Sequence, residues 1–277
     1  MIAYDVVYVR ADSVDEAVTA WQQAHADGLK PAYLSGGTEL LTAARENRNR
    51  PDVLVDLKRI GALRSVTESE GTLRVGACVT LTEVVEDGRF GLLSRAAGGI
   101  ADRSVRNSIT IGGNVCGMLP YREALLPFLV ADGSATVAGP DGTRSETLEQ
   151  LFSKRLLLKP GELLVSLSVP SALLRAACWY RRRERDARVD YPLLTLCALA
   201  APGGRRMAVS GAFAYPLRDR PAEAALNGNG SPGERAAAFV AGLPNAIRSD
   251  MRAGAGYRRA LLLRAVEDAI IELEAGS

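Results

Sequence analysis

The chain has 277 residues, of which 47% are apolar and 24% charged, which is the composition of a globular protein large enough for two domains. A formal net charge of +2 gives no field that would hold a polyanion, and no apolar stretch reaches the roughly 20 residues of a membrane-spanning helix. We therefore expect neither a nucleic-acid binder nor a membrane protein, and the lack of a signal-peptide pattern predicts a cytoplasmic location. The four cysteines are far apart and the single histidine, His25, lies in a helical stretch. This pattern predicts no zinc site, no iron–sulfur cluster and no histidine-dependent catalytic triad in this chain.

The first half of the chain alternates predicted strands and helices. A strand over 4–9 precedes a helix that begins after Ser13, where Ser-Val-Asp-Glu has the capping-box spacing, and that Gly28 ends. Further strands are predicted over 32–35, 53–57 and 72–76, and further helices over 38–45, 80–85 and 92–102. The segment 107–114 contains a glycine pair without helical periodicity, so we expect a loop there.

The second half begins with strands and ends with helices. A strand over 163–169 is closed by Pro170, which is our candidate domain boundary. Strands are then predicted over 193–200 and 207–215, and helices over 222–226, 232–243 and 258–275. This order favours an α+β fold over regular βαβ winding. The G-x-G-x-x-G match at 228–233 contains a proline and follows a helix instead of a strand, so we interpret it as an interhelix loop.

Two other glycine pairs point to a ligand. A Gly-Gly turn lets backbone N–H groups approach an anion with no Cβ in the way. Gly36-Gly37 lies between a predicted strand and a predicted helix, which adds its positive end and the Thr38 hydroxyl. Gly112-Gly113 lies far away in sequence, within Thr-Ile-Gly-Gly-Asn. Each pair alone is typical of an ordinary turn, but together they predict a clamp on a pyrophosphate from two sides.

The residues around both pairs resemble the FAD-binding subunits of molybdenum hydroxylases. Residues 34–40, Leu-Ser-Gly-Gly-Thr-Glu-Leu, resemble the A-G-G-T-D-L loop of that family. Residues 105–114 resemble its I-R-N-x-x-T-I-G-G-N loop. Further family-like stretches make the resemblance extend over nearly the whole chain, and the C-terminal part is similar to that of carbon monoxide dehydrogenase flavoproteins.

This resemblance implies the fold and the domain organisation. The fold implied is α+β, with a vanillyl-alcohol-oxidase-type (PCMH-type) FAD-binding domain whose two subdomains hold FAD between them. The FAD-binding domain is expected over 1–169, with subdomains at about 1–58 and 59–169. A C-terminal α+β domain, an antiparallel sheet with helices, is expected over 170–277.

The resemblance also implies which residues bind FAD. The two glycine loops are expected to hold the pyrophosphate and the ribityl chain, Glu123 to contact the cofactor, Leu164 to contribute a backbone contact and Arg181 a basic side chain. Around Glu123 the sequence departs from the family pattern, with Glu in place of Asp and Pro127 one residue late. No catalytic and no metal-ligating residue is expected. The expected cofactor-binding residues are Leu34, Ser35, Gly36, Gly37, Thr38, Glu39, Thr110, Ile111, Gly112, Gly113, Asn114, Glu123, Leu164 and Arg181.

The function implied is that of an oxidoreductase subunit, the FAD-binding electron-transfer subunit of a xanthine dehydrogenase-like molybdenum hydroxylase. Its expected partners are a small 2Fe–2S subunit and a molybdopterin-containing large subunit. The acceptor is left open between NAD, a quinone, oxygen and a ferredoxin, with NAD the commonest in the family. Two alternatives also stay open: a stand-alone FAD-dependent oxidoreductase with Tyr121 or Glu123 as proton-transfer group, and a nucleotide-binding assembly module with no redox role.

Overall fold

The computed structural model describes residues 2–186, 189–244 and 246–275. Within these residues the strands are β1 (Val7–Arg10), β2 (Pro31–Leu34), β3 (Val53–Asp56), β4 (Val66–Ser69), β5 (Thr72–Gly76), β6 (Ser134–Gly139), β7 (Gly142–Thr147), β8 (Phe152–Ser153), β9 (Arg155–Leu156), β10 (Leu163–Pro170), β11 (Cys178–Glu184), β12 (Pro192–Ala201), β13 (Gly204–Ser210) and β14 (Leu217–Arg218). The α-helices of the same residues are α1 (Val14–Ala26), α2 (Thr38–Arg45), α3 (Leu81–Asp87), α4 (Gly91–Gly98), α5 (Arg103–Arg106), α6 (Ile111–Cys116), α7 (Leu126–Val130), α8 (Leu148–Leu151), α9 (Arg220–Leu226), α10 (Pro232–Gly242) and α11 (Ala255–Ala275). None of these helices combines the length and apolarity needed to cross a bilayer.

The chain divides into two compact units. The first comprises the residues up to Val84, Arg103–Met118 and Gly133–Val169. The second comprises Val85–Asp102, Leu119–Asp132 and the residues from Pro170 onward. The segments 85–102 and 119–132 therefore group with C-terminal residues, although they precede Pro170 in sequence. The division into domains at 1–169 and 170–277, with subdomains at 1–58 and 59–169, stays a prediction.

A three-stranded parallel sheet begins the first unit, in the order β1-β3-β2. Helix α1 connects β1 to the far strand β2, and α2 leads back to the central strand β3. Because such crossovers are right-handed in nearly all proteins and these two run in opposite directions along the sheet, α1 and α2 are expected on opposite faces. Val53 and Val55 of β3 share a buried cluster with Ala17 and Val18 of α1. The carboxyl ends of β2 and β3 are in register, with Leu34 opposite Asp56.

The first unit also contains a five-stranded sheet in the order β4-β5-β10-β6-β7. Strands β6 and β7 form an antiparallel hairpin, and β10 pairs antiparallel with β6. The register between β10 and β6 shifts between Leu164 and Ser166. The carbonyl oxygen of Val165, at this shift, accepts a hydrogen bond from Ala77 N at 2.9 Å, which ties the end of β5 to β10.

The second unit is built on a four-stranded antiparallel sheet in the order β11-β12-β13-β14. Leu194, Leu196 and Ala198 of β12 lie in one buried cluster with apolar residues of α9, α10 and α11. These side chains alternate with Thr195 and Cys197, which point to the opposite face. One face of the sheet therefore carries the apolar core of the unit.

The interhelix loop predicted at 228–233 does join α9 to α10, although its last two residues already belong to α10. Ser231 caps α10 reciprocally with Glu234: the Ser231 hydroxyl accepts from Glu234 N, and the Glu234 carboxylate accepts from Ser231 N at 2.8 Å. At Ser13 only half of this arrangement forms. Ser13 Oγ accepts from Glu16 N at 3.1 Å, while the Glu16 carboxylate accepts from Asp12 N instead.

The strand predicted over 4–9 begins only at Val7, and three further predicted elements are wrong in extent or type. The helix predicted over 92–102 ends at Gly98 because a second glycine follows, and glycine is a poor helix former. The strand predicted over 207–215 ends at Ser210 because Gly211 has a φ of +80°, which breaks the extended backbone. The predicted loop over 107–114 contains the start of α6, whose N-cap is Thr110.

Candidate functional site

The two glycine loops, residues 35–39 and 108–114, lie against each other in the first unit; we call this contact the glycine-loop junction. Ser35 Oγ and Thr110 Oγ1 are hydrogen-bonded at 2.9 Å. A Cβ on Gly36 would overlap the carbonyl oxygen of Ser108 and would lie 3.3 Å from Thr110 N. Glycine is therefore required at position 36 so that the backbones of the two loops can touch. The convergence that the sequence predicted is present in the structure.

The first loop leaves backbone donors available at the start of α2. Gly37, with a φ of +73°, is the N-cap of that helix, and the first helical bond runs from Leu41 N to Gly37 O at 2.9 Å. Across the described ranges, the N–H groups of residues 36–39 donate to no protein acceptor. Helix N-termini carry partial positive charge, and free N–H groups at such an end are the usual partners of phosphate oxygens. This loop therefore has the donors that an anion needs.

The second loop uses its donors internally. Thr110 Oγ1 accepts from Gly113 N at 3.1 Å and caps α6. Ile111 N donates to the carbonyl of residue 79 at 2.9 Å, and Gly112 N donates to that of residue 77 at 2.8 Å. We expected N–H donors from both loops, but in the second loop the carbonyls that follow β5 accept from Ile111 N and Gly112 N, and the Thr110 hydroxyl accepts from Gly113 N.

Close packing explains the first glycine of the second pair. A Cβ on Gly112 would lie 2.7 Å from the Cβ of Ala77, whereas Gly113 is exposed and its nearest neighbour would be Thr110 Oγ1 at 2.9 Å. The second loop is therefore packed against the protein at Gly112, while Gly113 and the half-buried Asn114 reach the surface. Whether these residues bind a cofactor stays a prediction.

Other residues of the first loop have different surroundings. Thr38 is exposed, whereas Leu34 is buried, with its Cδ1 2.9 Å from where a Cβ on Gly37 would lie. The Glu39 carboxylate accepts a hydrogen bond from Met118 N at 2.8 Å. This bond ties the first turn of α2 to the segment after α6. Thr38 is thus the expected binding residue whose side chain is most open to solvent.

A polar cluster that sequence reasoning missed lies where β3 ends. The Asp56 carboxylate, 3% exposed, accepts from the Tyr8 hydroxyl and from Lys58 N at 2.9 Å, and Lys58 Nζ lies 2.8 Å from it. Ser35 Oγ donates to the buried Cys78 thiol at 3.1 Å. An aspartate directly after a buried parallel strand was the available signal, because carboxyl ends of such strands gather polar groups.

Glu123 lies in the second unit, in a buried ion pair. Its Oε1 accepts from Arg182 Nε at 2.7 Å and from Thr195 Oγ1 at 2.6 Å. Burial raises the pKa of the Glu123 carboxyl above its ordinary value, while the Arg182 guanidinium opposes this shift. Because Oε1 already has two donors, the carboxylate holds the segment 119–132 onto β11 and β12. A cofactor contact from Glu123 stays a prediction.

Arg181 and Arg182 point to opposite faces of the sheet because they are neighbours in β11. Arg181 Nη2 lies 3.9 Å from the Asp268 carboxylate of α11, and its guanidinium stacks over Trp179 at 5.3 Å. Arg182 instead reaches Glu123 and the carbonyl oxygen of Asp190, at 2.8 Å. The expected basic contact at Arg181 gains no support from this position, and the run of arginines offered no signal to separate the two.

Leu164 is buried in β10, opposite Val137 of β6. It stands next to the register shift that frees the Val165 carbonyl for Ala77 N. Among the expected binding residues, those of the glycine-loop junction are therefore brought together, and Leu164 lies in the same unit. Glu123 and Arg181 belong to the second unit.

The chain is similar to known proteins, some over its first 170 residues or so and some over nearly its whole length. A family model described as the FAD binding domain in molybdopterin dehydrogenase matches residues 3–172. The xanthine dehydrogenase FAD-binding subunit of Escherichia coli O157:H7 is 29% identical over 170 residues, which are 59% of this chain and 57% of that protein. The carbon monoxide dehydrogenase medium chain of Hydrogenophaga pseudoflava is 26% identical over 276 residues, 95% of each chain. The match thus spans little over half of the length of the xanthine dehydrogenase subunit.

Solved structures agree with the fold. Carbon monoxide dehydrogenase from Hydrogenophaga pseudoflava, in a form lacking the Mo-pyranopterin moiety of its cofactor, superposes with a TM-score of 0.88 at 27% identity over 99% of both chains. Quinoline 2-oxidoreductase from Pseudomonas putida 86 superposes with a TM-score of 0.87 at 22% identity over 100% of this chain and 99% of that chain, a likeness of fold alone. The α+β fold class predicted from the sequence is confirmed.

Proposed function

The chain belongs to the family of FAD-binding domains of molybdopterin dehydrogenases, and from this premise we propose that it is the FAD-binding electron-transfer subunit of a molybdenum hydroxylase. FAD is the cofactor of this family. The observation that carries the proposal is the glycine-loop junction, where the N–H groups of residues 36–39 have no protein acceptor within the described chain. These donors fit the diphosphate bridge of FAD, which needs partners for its negatively charged oxygens.

The residues present fit the cofactor in charge and in shape. The N-terminus of α2 provides positive potential, and the glycines at 36 and 37 leave the backbone open. Thr38 presents a hydroxyl on the exposed side of the loop. Gly113 and Asn114 belong to the second loop, which contacts the first through the bond between Ser35 and Thr110. We propose these residues, with the others predicted from the sequence, as the FAD-binding set.

FAD, when bound, supplies the redox chemistry, and the protein supplies binding, orientation and electrostatics. On this proposal the chain needs no general acid or base of its own. Its electrons come from iron–sulfur clusters of a small 2Fe–2S subunit, which a molybdopterin-containing large subunit reduces. The acceptor that we propose is NAD. Support comes from relatives named as subunits, the xanthine dehydrogenase FAD-binding subunit and the carbon monoxide dehydrogenase medium chain.

The first experiment measures FAD retention in three glycine variants. Gly113→Asp places a negative charge beside the proposed diphosphate, so we expect the purified protein to lose its flavin. Gly113→Ala adds only the Cβ that crowds Thr110 Oγ1. Gly256→Asp makes the same substitution in the exposed first turn of α11, where a Cβ meets no atom within 4 Å. It is the matched control.

Flavin content is measured by absorbance after gel filtration, with circular dichroism to establish folding. We expect normal flavin in Gly256→Asp, little change in Gly113→Ala and loss in Gly113→Asp. A folded Gly113→Asp protein with full flavin content would contradict the placement of the diphosphate. A wild-type protein that binds no FAD under any condition would contradict the function.

The partner and acceptor assignments need their own tests. Affinity purification of the tagged chain from its source cells is expected to recover two further polypeptides, with iron and molybdenum detected by elemental analysis. Mixing the dithionite-reduced protein with NAD is expected to form NADH. Recovery of the chain alone, with full activity, would favour the stand-alone oxidoreductase. We rank that alternative second because the Glu123 carboxylate is already held by Arg182 and Thr195.

A further inference from the structure

The cluster of Tyr8, Asp56 and Lys58 at the end of β3 contains a cationic side chain with donors to spare. Asp56 Oδ1 accepts from both Lys58 N, at 2.9 Å, and Lys58 Nζ, at 2.8 Å, while Oδ2 accepts from the Tyr8 hydroxyl. Burial acts against ionisation, but the bonds from Lys58 and Tyr8 lower the pKa of the Asp56 carboxyl. The carboxylate is therefore ionised at neutral pH and fixes the ammonium group.

Sheet geometry puts Lys58 beside the first glycine loop. Strands β2 and β3 are parallel neighbours in which Leu34 is opposite Asp56, and Leu57 N donates to Leu34 O at 2.9 Å. Lys58 follows β3 by two residues, just as Gly36 follows β2. Paired strands lie about 4.8 Å apart, so both segments leave the same edge of the sheet side by side.

The Cys78 thiol gives a second, independent indication of this proximity. Ser35 Oγ of the glycine loop donates to Cys78 Sγ at 3.1 Å. Burial raises the pKa of this thiol, and the charges of Lys58 and Asp56 both act on it in opposite directions. Charges act over distances of about 8 Å in physiological salt, so Lys58 lies within electrostatic range of the thiol to which Ser35 donates. Lys58 thus shares its neighbourhood with the glycine-loop junction.

Lys58 also has unused capacity. Its side chain is 46% exposed, and an ammonium group has three N–H donors, of which Asp56 Oδ1 takes one. Each oxygen of the Asp56 carboxylate already accepts a hydrogen bond, one from the Tyr8 hydroxyl and one from Lys58 N, so neither is left without a donor if the ammonium turns to another acceptor. The glycine loops themselves contain no lysine or arginine between 34 and 40 or between 107 and 114. A diphosphate bound there lacks a cationic side chain unless a neighbouring segment provides one.

We propose that Lys58, oriented by Asp56, donates to the diphosphate of FAD and supplies the positive side chain that the glycine loops lack. The inference rests on the proposed function, because it concerns how the same cofactor is held. Lys58 binds the phosphate group, Asp56 positions the ammonium, and Tyr8 fixes the carboxylate. The proposed contact is with the diphosphate, which is part of FAD that ADP shares.

The experiment compares three ligands on the full chain after flavin removal: FAD, ADP and riboflavin. Lys58→Met is expected to raise the Kd of FAD and of ADP by roughly tenfold to hundredfold, the size of a lost hydrogen bond to a charged group. Riboflavin binding is expected to stay unchanged, since it has no phosphate. Lys58→Arg, which keeps the charge, is expected to restore most of the affinity. Lys159→Met is the matched control, because Lys159 pairs with Asp141 on the surface of the same unit, at 3.3 Å.

Salt dependence gives a readout that a purely structural role would not change. The Kd of ADP for the wild type is expected to rise with ionic strength more steeply than that for Lys58→Met, because salt screens the exposed ammonium. Asp56→Asn is expected to weaken FAD binding less than Lys58→Met does, since the ammonium remains but loses its orientation.

The outcomes separate this inference from the proposed function. A wild-type protein that binds neither FAD nor ADP would defeat the proposed function. FAD binding in the wild type, together with an equal Kd and an equal salt slope in Lys58→Met, would overturn the role of Lys58 alone. Should Lys58→Met melt at a lower temperature than the wild-type apoprotein, Lys58→Gln retains a donor for Asp56 and allows the same comparison.

Discussion

Arg258 provides the sharpest test of how the second unit is held together. Its side chain is fully buried near the start of α11. The guanidinium donates to the carbonyl oxygens of Leu193, at 3.1 Å, and Gly211, at 2.6 Å, and to Asp250 Oδ1 at 2.8 Å. These two carbonyls lie at the end of the β12–β13 pairing, which begins only at Thr195. Arg258 therefore replaces the missing strand donors at this edge.

Replacement by Met keeps the apolar stem and removes every donor. Each buried hydrogen bond to a charged group is worth about 1.5–3 kcal/mol, and removing one partner of a buried ion pair costs about 3–5 kcal/mol. Asp250 keeps Arg248 at 2.8 Å, so its carboxylate is not left alone. We therefore expect Arg258→Met to lower the free energy of unfolding by about 3–5 kcal/mol. This is a large part of the total free energy of unfolding of a typical domain, which is about 5–15 kcal/mol.

The assay follows urea unfolding through Trp179, which lies in β11 of the second unit. A Trp21→Phe background removes the other tryptophan, which belongs to the first unit. Arg259→Met is the matched control, because Arg259 is the exposed neighbour in the same helix and should change stability by less than about 0.5 kcal/mol. A loss below about 1 kcal/mol in Arg258→Met would refute the view that its three bonds hold the sheet edge to α11.

Three further predictions concern the glycine loops and acid stability. Gly36→Ala is expected to destabilise the first unit by about 1–3 kcal/mol and to release FAD, because its Cβ would overlap the Ser108 carbonyl; calorimetry and flavin content test both. Thr38→Asp is expected to keep or raise the melting temperature of the apoprotein, since an acid suits a helix N-terminus, while weakening FAD binding in titrations. Burial alone would raise the pKa of the Asp132 carboxyl, but the hydrogen bond from Arg218 lowers this pKa below its usual 3.8. Stability from this lowered pKa is fully present above the usual 3.8 and is lost as the pH falls through the lower pKa of the folded state, so Asp132→Asn should flatten the loss of melting temperature below about pH 4.

Elements with strong local signals were predictable from the sequence. Helix α2 over 38–45 and strand β5 over 72–76 have the predicted bounds, and the box at Ser231 begins α10 as predicted. The hairpin β6–β7 was not predicted. Its strands contain small and polar residues, and their extended form depends on pairing with β10, which is distant in sequence. Tertiary pairing of this kind leaves no periodic pattern in the strand itself.

The candidate site divides in the same way. The contact between the two loops was predictable from the sequence. Both loops contain glycine pairs, which allow backbones to approach closely, and both resemble loops of one family. The sequence did not predict that, among the described residues, only the first loop keeps free N–H donors. In the second loop the carbonyls of residues 79 and 77 accept from Ile111 N and Gly112 N, and this pairing is tertiary. A helix through a glycine pair is unfavourable by local propensity, and α6 forms because tertiary acceptors and the Thr110 cap satisfy its first turn.

This division of roles makes folding and cofactor binding separable by mutation. Gly36 and Gly112 are fixed by backbone contacts inside the protein, so substitutions there test the packing of the loops. The side chains of Thr38 and Lys58 are open to solvent, and that of Lys58 is held by Asp56, so substitutions there leave the packing of the loops intact and act on a bound anion. If FAD affinity followed only the melting temperature of the apoprotein across all four positions, the junction would be a packing motif. Affinity that changes at 38 and 58 while the melting temperature stays constant requires an anion at the N-terminus of α2.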